Sequence, residues 1–403
     1  MENEKLKMEN YKQTELGLIP EDWVVKKLGE LGKIINGLTY SPENIKENGT
    51  LVLRSSNVQN DKIVYDDNVF VEENISFNPT KKDDVLICVR NGSRGLIGKT
   101  ALIDEQASNV AFGAFMAIYR SNSNNYIYNY FKSNYFFKEV HKNLGATINS
   151  INNNDLKKFK IPLPPLLEQK KIADCLSTWD VAIEKQNALI NALTQRKKAL
   201  MQQLLTGKKR LPGFEGKWNL NSINDLFIFK NGKAHENDID ENGKYILVNS
   251  KFISTDGEIL KKTNSNLAPL EVNDLVFVMS DVPNGKALAK FFLIKEDNLY
   301  TLNQRIGLLK IKKGNPIFMY YLLNRNAYFL MFDNGVGQTN LRKDDILDCP
   351  LNIPSLSEQT AIAEILATAD RELTLQKEKL AQLQTQKKGL MQVLLTGKKR
   401  LIN

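Results

Sequence analysis

The stretch that decides the fold occurs twice in this chain. Its first copy reads Leu163-Pro-Pro-Leu-Leu-Glu-Gln-Lys-Lys-Ile-Ala173, and its second copy reads Ile353-Pro-Ser-Leu-Ser-Glu-Gln-Thr-Ala-Ile-Ala363. The second copy follows the first by 190 residues (Glu168 to Glu358), and this spacing holds without a gap until Leu204-Leu-Thr-Gly-Lys-Lys-Arg-Leu211 returns as Leu394-Leu-Thr-Gly-Lys-Lys-Arg-Leu401. A period this long indicates a duplicated domain rather than a solenoid of short repeats.

The repeat extends more weakly into the segments that precede these stretches. Trp23 corresponds to Trp218, and Asn36-Gly37 corresponds to Asn231-Gly232. Each half therefore consists of a variable segment and a near-identical one. We predict a first variable domain with an N-terminal segment over residues 1–160, a central helix over 161–211, a second variable domain over 212–350 and a distal helix over 351–403.

Both near-identical stretches carry apolar residues at heptad spacing, which predicts two long helices that pack through one seam. Polar residues interrupt the seam at matching places, Gln186 with Gln376 and Lys197 with Lys387. The apolar seam residues are Ile172, Leu176, Trp179, Ile183, Ile190, Leu193, Leu200 and Leu204 in the first copy, and Ile362, Leu366, Leu373, Leu380, Leu383, Leu390 and Leu394 in the second.

The ends of both helices are marked in the sequence. Prolines precede each helix, and Ser355 with Glu358 predicts a capping box. Gly207 and Gly397 stand where a glycine ends a helix, and each is followed by Lys-Lys-Arg beside the negative helix end. Each helix should be roughly 60 Å long at 1.5 Å per residue.

Chain connectivity predicts that the two helices run antiparallel. The second variable domain joins the end of one helix to the start of the other, and a compact domain usually keeps its termini close. An antiparallel pair brings these ends together and places the variable domains in a pseudo-two-fold relation. The N-terminal segment around Ile19–Trp23 should then pack where the distal helix ends.

The variable domains are expected to be mixed α and β structure, an α/β (α+β) class, because short β-rich runs alternate with helical ones. Polar and basic residues follow the ends of several predicted strands, and such side chains can bind base edges or phosphates. A solvated loop without a DNA contact explains any single one equally well. The candidates are Arg54, Ser55, Asn57, Arg90, Asn91, Arg94 and Lys99 in the first half, and Asn249, Lys251, Ser280, Asn284, Lys286, Gln304 and Arg305 in the second.

Bulk composition is typical of a soluble globular protein, and its charge fits a DNA-binding protein and a merely basic protein equally well. The 403 residues include 55 Lys plus Arg against 46 Asp plus Glu, a formal charge of +9 that suits a polyanionic partner. Three isolated cysteines and two histidines predict neither a disulfide framework nor a metal site. No apolar run is long enough to span a membrane, and the charged N-terminus does not resemble a secretory signal.

Catalytic motifs are not evident. Residues 92–100, Gly-Ser-Arg-Gly-Leu-Ile-Gly-Lys-Thr, are one residue too long for a phosphate-binding loop, and a strand-like run follows them instead of a helix. We find no nuclease or adenine-methyltransferase motif. Asp84 and Asp274 are interpreted as strand-edge or capping groups.

The duplicated Glu-Gln motif, the seam and the Leu-Leu-Thr-Gly-Lys ends resemble the conserved regions of specificity subunits of type I DNA restriction-modification systems. The resemblance covers nearly the whole chain. It implies a non-catalytic subunit whose two target-recognition domains each read half of a two-part DNA site. It also implies two modification subunits that use S-adenosylmethionine, restriction subunits that use ATP and Mg²⁺, and a cytoplasmic location.

Two other readings stay open, a stand-alone coiled-coil DNA-binding scaffold and a nuclease with an unrecognised active site. A second apolar stripe on the helices is expected either to dock a partner or to pack against the chain's own variable domains. Its members are Ala173, Met201, Leu205, Ala363, Met391 and Leu395.

Overall fold

The computed structural model describes residues 10–144, 149–235, 238–282, 285–333 and 335–401. The chain divides into two compact units. Unit 1 holds the residues up to Gln186 and those from Lys379 onward, and unit 2 is Asn187–Glu378. Each unit contains one variable domain and a segment of both long helices, so the division cuts across the boundaries expected from the sequence.

Unit 1 is built on two four-stranded sheets. The first has the order β11-β10-β13-β4 and is antiparallel, and the second has the order β12-β6-β9-β5. Its strands are β1 (Tyr11–Thr14), β2 (Gly17–Pro20), β3 (Val24–Lys27), β4 (Lys33–Asn36), β5 (Ile45–Lys46), β6 (Thr50–Leu53), β7 (Val58–Gln59), β8 (Lys62–Ile63), β9 (Phe70–Val71), β10 (Val85–Cys88), β11 (Thr100–Leu102), β12 (Ala111–Phe112), β13 (Met116–Arg120) and β14 (Lys160–Leu163). Its helices are α1 (Leu28–Leu31), α2 (Asn124–Phe131), α3 (Asn134–Asn143), α4 (Asn153–Lys158) and the first part of α5 (Leu166–Leu204).

Unit 2 repeats this plan. A four-stranded antiparallel sheet of order β16-β23-β19-β21 accompanies a three-stranded sheet of order β18-β17-β22. The strands are β15 (Asn219–Ser222), β16 (Phe227–Asn231), β17 (Tyr245–Val248), β18 (Lys262–Thr263), β19 (Leu275–Val278), β20 (Ser280–Asp281), β21 (Phe291–Leu293), β22 (Tyr300–Leu302), β23 (Ile306–Ile311), β24 (Thr339–Asn340) and β25 (Pro350–Ile353). The helices are α6 (Ile223–Leu226), α7 (Ser250–Ser254), α8 (Pro316–Leu323), α9 (Ala327–Leu330), α10 (Lys343–Leu347) and the first part of α11 (Leu356–Leu394).

The repeated Asn-Gly pair has a steric reason. A Cβ atom on Gly37 would lie 2.1 Å from the carbonyl oxygen of Gly113, and one on Gly232 would lie 2.1 Å from that of Asn303. Two backbone segments therefore approach more closely at these points than any other residue permits. The mixed α and β class and the internal duplication expected from the sequence are confirmed by these matching sheets.

Within each unit the two long helices run antiparallel. In unit 1, Asp180 pairs with Lys387 and Glu168 pairs with Arg400. A residue nearer the start of the first helix therefore pairs with a residue further along, or just after, the second helix. In unit 2, Lys197 pairs with Asp370 and Arg210 pairs with Glu358 in the same sense. Both helices are followed by a glycine with φ of 69°, Gly207 and Gly397, as the sequence predicts.

The seam residues are all buried or half-buried, but unevenly. Ile172, Leu176, Ile362 and Leu366 are at most 1% exposed because the variable domains cover them, whereas Leu193 and others further along are half-buried. The half-buried seam residues are Trp179, Ile183, Ile190, Leu193, Leu200, Leu380, Leu383 and Leu390, and the buried ones also include Leu204, Leu373 and Leu394.

The second apolar stripe packs inside the chain. Ala173, Ala363 and Leu395 are buried, and Leu395 belongs to the core around Trp23 in unit 1. Met391 packs against the same core, while Met201 and Leu205 pack against the unit 2 core. Of the two alternatives that the sequence leaves open, this packing supports contact with the chain's own variable domains. Docking of a partner by the half-buried Met201, Leu205 and Met391 stays a prediction.

The N-terminal segment packs at the end of α11, as predicted. The Tyr11 hydroxyl donates to the carbonyl of Gly397 at 2.8 Å, and Trp23 is fully buried in the core that includes Leu394. None of the described helices is long and apolar enough to cross a membrane.

Candidate nucleic-acid interface

Four loops converge in unit 1 where strands β4, β6, β10 and β12 end. The amide of Gly113 donates to the carbonyl of Leu53 at 2.9 Å, and the amide of Leu38 donates to that of Phe112 at 2.7 Å. The amide of Arg90 donates to the carbonyl of Phe115 at 3.1 Å. We call this surface, residues 38–40, 54–56, 90–91 and 113–115, loop face 1.

Loop face 1 brings four of the candidate residues together. The exposed guanidinium of Arg90 lies 5.7 Å from the ring centre of Phe115, whose side chain is 55% exposed. The Asn91 amide donates to the Ser55 hydroxyl at 2.9 Å. Arg54 lines the same concavity as Ser55 and Phe115, although its guanidinium is paired with Asp67 at 2.8 Å. The surface thus offers hydrogen-bond donors beside an exposed aromatic ring.

Asn57 is not part of this surface, and its interpretation as a DNA contact is corrected. Its side chain is fully buried. The side-chain oxygen accepts from the Arg54 amide at 2.9 Å and the side-chain nitrogen donates to the Val64 carbonyl at 3.0 Å. Its hydrogen-bonding capacity therefore shapes the loop from inside.

The glycine-rich run after Arg90 is followed by a strand and not by a helix, as expected from the sequence. Residues Arg94–Leu96 form one turn of 3-10 helix, and strand β11 follows at Thr100–Leu102. Arg94 is exposed and Lys99 is half-buried.

Loop face 2 is the equivalent surface of unit 2. The amide of Asn303 donates to the carbonyl of Val248 at 3.1 Å, and the amide of Lys233 donates to that of Leu302 at 3.0 Å. Ser280, Gln304 and Arg305 line one concavity there, and the last two are exposed. We define loop face 2 as residues 233, 249–251, 280–281 and 303–305.

The other candidates of unit 2 divide between structural and exposed positions. The side-chain oxygen of Asn249 accepts from the Phe252 amide at 2.9 Å and so caps α7. Lys251 and Lys286 are exposed. Asn284 lies outside the described residues. The Asp281 carboxylate accepts from the amides of Ala287 and Leu288 at 2.7 and 3.0 Å, and thereby shapes the loop that carries Lys286.

Comparison with known proteins shows which family the chain belongs to. A family model described as the type I restriction modification DNA specificity domain matches residues 20–195 and again residues 215–385. This chain belongs to that family. A specificity subunit is the non-catalytic, DNA-sequence-determining component of a type I restriction-modification system, and the two matches are its two recognition domains.

Two relatives span nearly the whole chain. The putative type I restriction enzyme MjaX specificity subunit of Methanocaldococcus jannaschii is 28% identical over 98% of this chain and 98% of its own length. The type I restriction enzyme StySPI specificity subunit of Salmonella potsdam is 26% identical over 88% of this chain and 84% of its own length.

Solved structures share the fold. The S subunit of a type I restriction-modification system from M. genitalium is 18% identical, with a TM-score of 0.58 over 92% of this chain and 96% of that one. A chain from a structural study of complex assembly and conformational transition of the type I R-M system is 15% identical, with a TM-score of 0.60 over 94% of this chain and 99% of that one.

Sequence reasoning missed an apolar member of the specificity subunit's loop faces. Strand pairing places Met116 opposite Cys88 and Ile306 opposite Val278, so Phe115 and Arg305 occupy equivalent positions. Arg305 was a candidate because its side chain is positively charged, whereas Phe115 is uncharged and apolar and was therefore not selected. The duplication could have located Phe115, because Phe115 and Arg305 each stand directly before the last strand, in chain order, of the four-stranded antiparallel sheet of their unit (β13 and β23).

A buried ionic cluster joins helix ends to the recognition domain in each unit, and we call it the clasp. In unit 1, Arg400 makes a two-point contact with Glu168 at 2.7 and 2.8 Å, and Trp23 donates its indole N–H to Glu168 at 2.9 Å. Arg400 also binds Asp22 and holds the pKa of that carboxyl below its ordinary value by hydrogen bonding. Glu168 is fully buried.

The clasp of unit 2 is simpler. Arg210 binds Glu358 through two contacts of 2.7 Å, and its guanidinium lies 5.9 Å from the Trp218 ring centre. Lys217 stands where unit 1 has Asp22, and the buried Trp218 indole N–H has no hydrogen-bond partner among the residues that the structure describes. The expected capping box is corrected here, because the Glu358 carboxylate binds Arg210 while Ser355 alone accepts from the helix, at 3.4 Å.

The buried aspartates before β10 and β19 are capping groups, as interpreted from the sequence. Asp84 accepts from the Lys81 amide at 2.7 Å and Asp274 accepts from the Glu271 amide at 2.9 Å. Arg120 pairs with Asp84 at 2.6 Å, whereas burial raises the pKa of Asp274. Among the described residues no group of three His, Cys, Asp or Glu side chains could hold a metal ion.

Proposed function

We propose that each recognition domain of this specificity subunit reads one half of a two-part, non-palindromic DNA sequence through its loop face. The long helices set the distance between the half-sites and carry two modification subunits. Duplex DNA is then contacted twice by equivalent surfaces, with unread base pairs between the contacts.

The observation that carries this proposal is the contrast between a repeated framework and different loop residues. The sheets, the Asn-Gly contacts and the clasp arginines recur in both units. At equivalent positions on the loop faces, Arg90 is replaced by Ser280 and Phe115 by Arg305. Two surfaces with the same backbone and different side chains suit two different base sequences.

The side chains at these positions have the chemistry of direct readout. An arginine can donate two hydrogen bonds to guanine, and glutamine can pair in the same way with adenine. Arg90 in unit 1 and Gln304 with Arg305 in unit 2 are exposed and therefore able to approach base edges. Phe115 offers apolar contact, for example with a thymine methyl group.

The chemistry of the complex is assigned to partner subunits. Modification subunits would bind S-adenosylmethionine and methylate adenine, and restriction subunits would use ATP and Mg²⁺ to translocate and cleave DNA. Relatives named as specificity subunits and a structural neighbour from a study of complex assembly support this division of labour. The assembled complex would act in the cytoplasm.

A domain exchange tests the two-part reading. Residues 212–350 would be replaced by the corresponding domain of a relative with a different target, and the methylated adenines would be mapped in cells that also express the modification subunit. We expect one half-site to change while the other half-site and the gap length stay the same. A single uninterrupted motif, a palindrome, or a change in both half-sites would contradict the proposal.

The loop face and its internal support are expected to respond differently to mutation. Arg90→Ala should weaken binding of the target duplex by about 1–3 kcal/mol, the usual contribution of a specific base contact, with little change in Tm. Asn57→Ala should instead lower Tm, because buried partners lose their hydrogen bonds at a cost of about 1–3 kcal/mol. Titrating both variants with target and mismatched duplexes separates the roles, and an unchanged affinity for Arg90→Ala would exclude it from the interface.

A further inference from the structure

A second basic surface lies in unit 1, where α3 begins beside the end of α11. Its concave floor contains Ser133, Tyr135, Met391, Leu395 and Thr396, and its rim carries Lys138, Lys388 and Lys398. We propose that this lysine surface binds the phosphate backbone of duplex DNA beyond the base pairs read at loop face 1. The inference deepens the proposed function and rests on it.

The charge of this surface is not neutralised. Lys138, Lys388 and Lys398 are exposed, and none of them forms an ion pair with another described residue. No carboxylate lines the concavity. Lys132 differs, since it lies 3.6 Å from Asp61 and 3.9 Å from the Tyr128 ring centre, and it is therefore not counted as a DNA contact.

The lysine surface is connected to loop face 1 by α3. The helix begins at Asn134 in the concavity and ends at Asn143. On the far side of residues 145–148, the Asn149 carbonyl accepts from the Asn91 amide of loop face 1 at 3.2 Å. Lys138 and Lys142 lie four residues apart and so share one face of the helix. These ten residues span about 15 Å, or roughly four phosphates of one DNA strand.

The distribution of the lysines favours DNA over a protein partner. Lys388 and Lys398 have counterparts in Lys198 and Lys208 of unit 2, but α9, the counterpart of α3, reads Ala-Tyr-Phe-Leu and has no lysine. Two of the three lysines are thus common to both units, and Lys138 gives unit 1 a cluster that unit 2 does not repeat. A partner that docks in the same way on both copies of the helices would not use this additional charge, whereas an ammonium is a point charge that suits phosphate without base specificity.

Salt dependence of DNA binding tests the proposal in the full-length chain. The probe is duplex DNA that lacks the methylated sequence, and affinity is measured over a range of KCl concentrations. In the triple variant K138Q/K388Q/K398Q the slope of log affinity against log salt should fall by about 2–3, because each phosphate contact contributes about 0.9. The matched control K198Q/K208Q removes the equivalent helix charges of unit 2 and should keep the wild-type slope.

Each result is decisive. A wild-type slope in the triple variant, or an equal fall in the control, overturns the lysine surface while leaving the proposed function intact. Failure of the wild-type chain to bind duplex DNA overturns both. A wild-type slope combined with lost co-purification of modification subunits would show that the surface docks protein. The single variant K138Q, which is expected to lower the slope by about 0.9, tests the proposal if the triple variant does not fold.

Discussion

Replacing Arg400 with alanine is expected to lower the free energy of unfolding of unit 1 by about 3 kcal/mol. Removing one partner of a buried ion pair leaves the other charge uncompensated, which costs about 3–5 kcal/mol. Glu168 is fully buried, but the Trp23 indole still donates to it at 2.9 Å and the Leu401 amide at 3.3 Å, so the loss should fall at the lower end. Chemical denaturation followed through Trp23 fluorescence measures it.

The simpler clasp of unit 2 provides the comparison. Arg210→Ala should cause a larger loss in its own unit than Arg400→Ala does, because no other described group donates to the Glu358 carboxylate. Adding Glu358→Gln to Arg210→Ala should recover part of the stability, since the remaining group is then neutral. Equal losses in the two units, or no recovery in the double variant, would show that the clasps do not stabilise the fold in this way.

Leu366→Asp is expected to destabilise unit 2 by about 3–5 kcal/mol, because it places an unpaired charge in a fully desolvated position. Leu366 is 0% exposed and belongs to the unit 2 core. Leu193→Asp, also on the seam of unit 2, should cost less because Leu193 is half-buried and its carboxylate can reach water. Thermal and denaturant unfolding of the purified variants give the ranking.

Leu375→Asp is the matched control on the same helix as Leu366. Leu375 is 62% exposed, and substitutions at such positions usually change stability by less than about 0.5 kcal/mol. A loss for Leu366→Asp no greater than that of Leu375→Asp would mean that the seam does not hold the unit together.

The helices and strands were predictable because their patterns are local. Heptad spacing, the flanking prolines and the terminal glycines located α5 and α11, and short apolar runs located β6, β10, β17 and β19. The duplication supplied the domain plan, since both copies had to fit one framework.

The roles of individual polar residues were less predictable, because they depend on partners far away in the chain. Asn57 and Arg90 look alike as polar residues after strands, but one is fully buried and the other is exposed. Glu358 reads as a helix cap until Arg210, 148 residues earlier, is seen to bind it. The sequence did offer a clue, because a glutamate and an arginine recur at matching positions of both copies, as Glu168 with Arg210 and as Glu358 with Arg400.

The division of the chain into units has a consequence for the order in which the protein is made. Residues 187–378 form unit 2 from one continuous segment, whereas unit 1 combines residues up to Gln186 with residues from Lys379 onward. A ribosome delivers the chain from its N-terminus, and domains generally fold as units during synthesis. The recognition domain translated first must therefore wait for Leu394 and Arg400, and the domain translated second is the first that can be completed. A nascent chain released before residue 379 would carry a finished second domain and a first domain with its core still open.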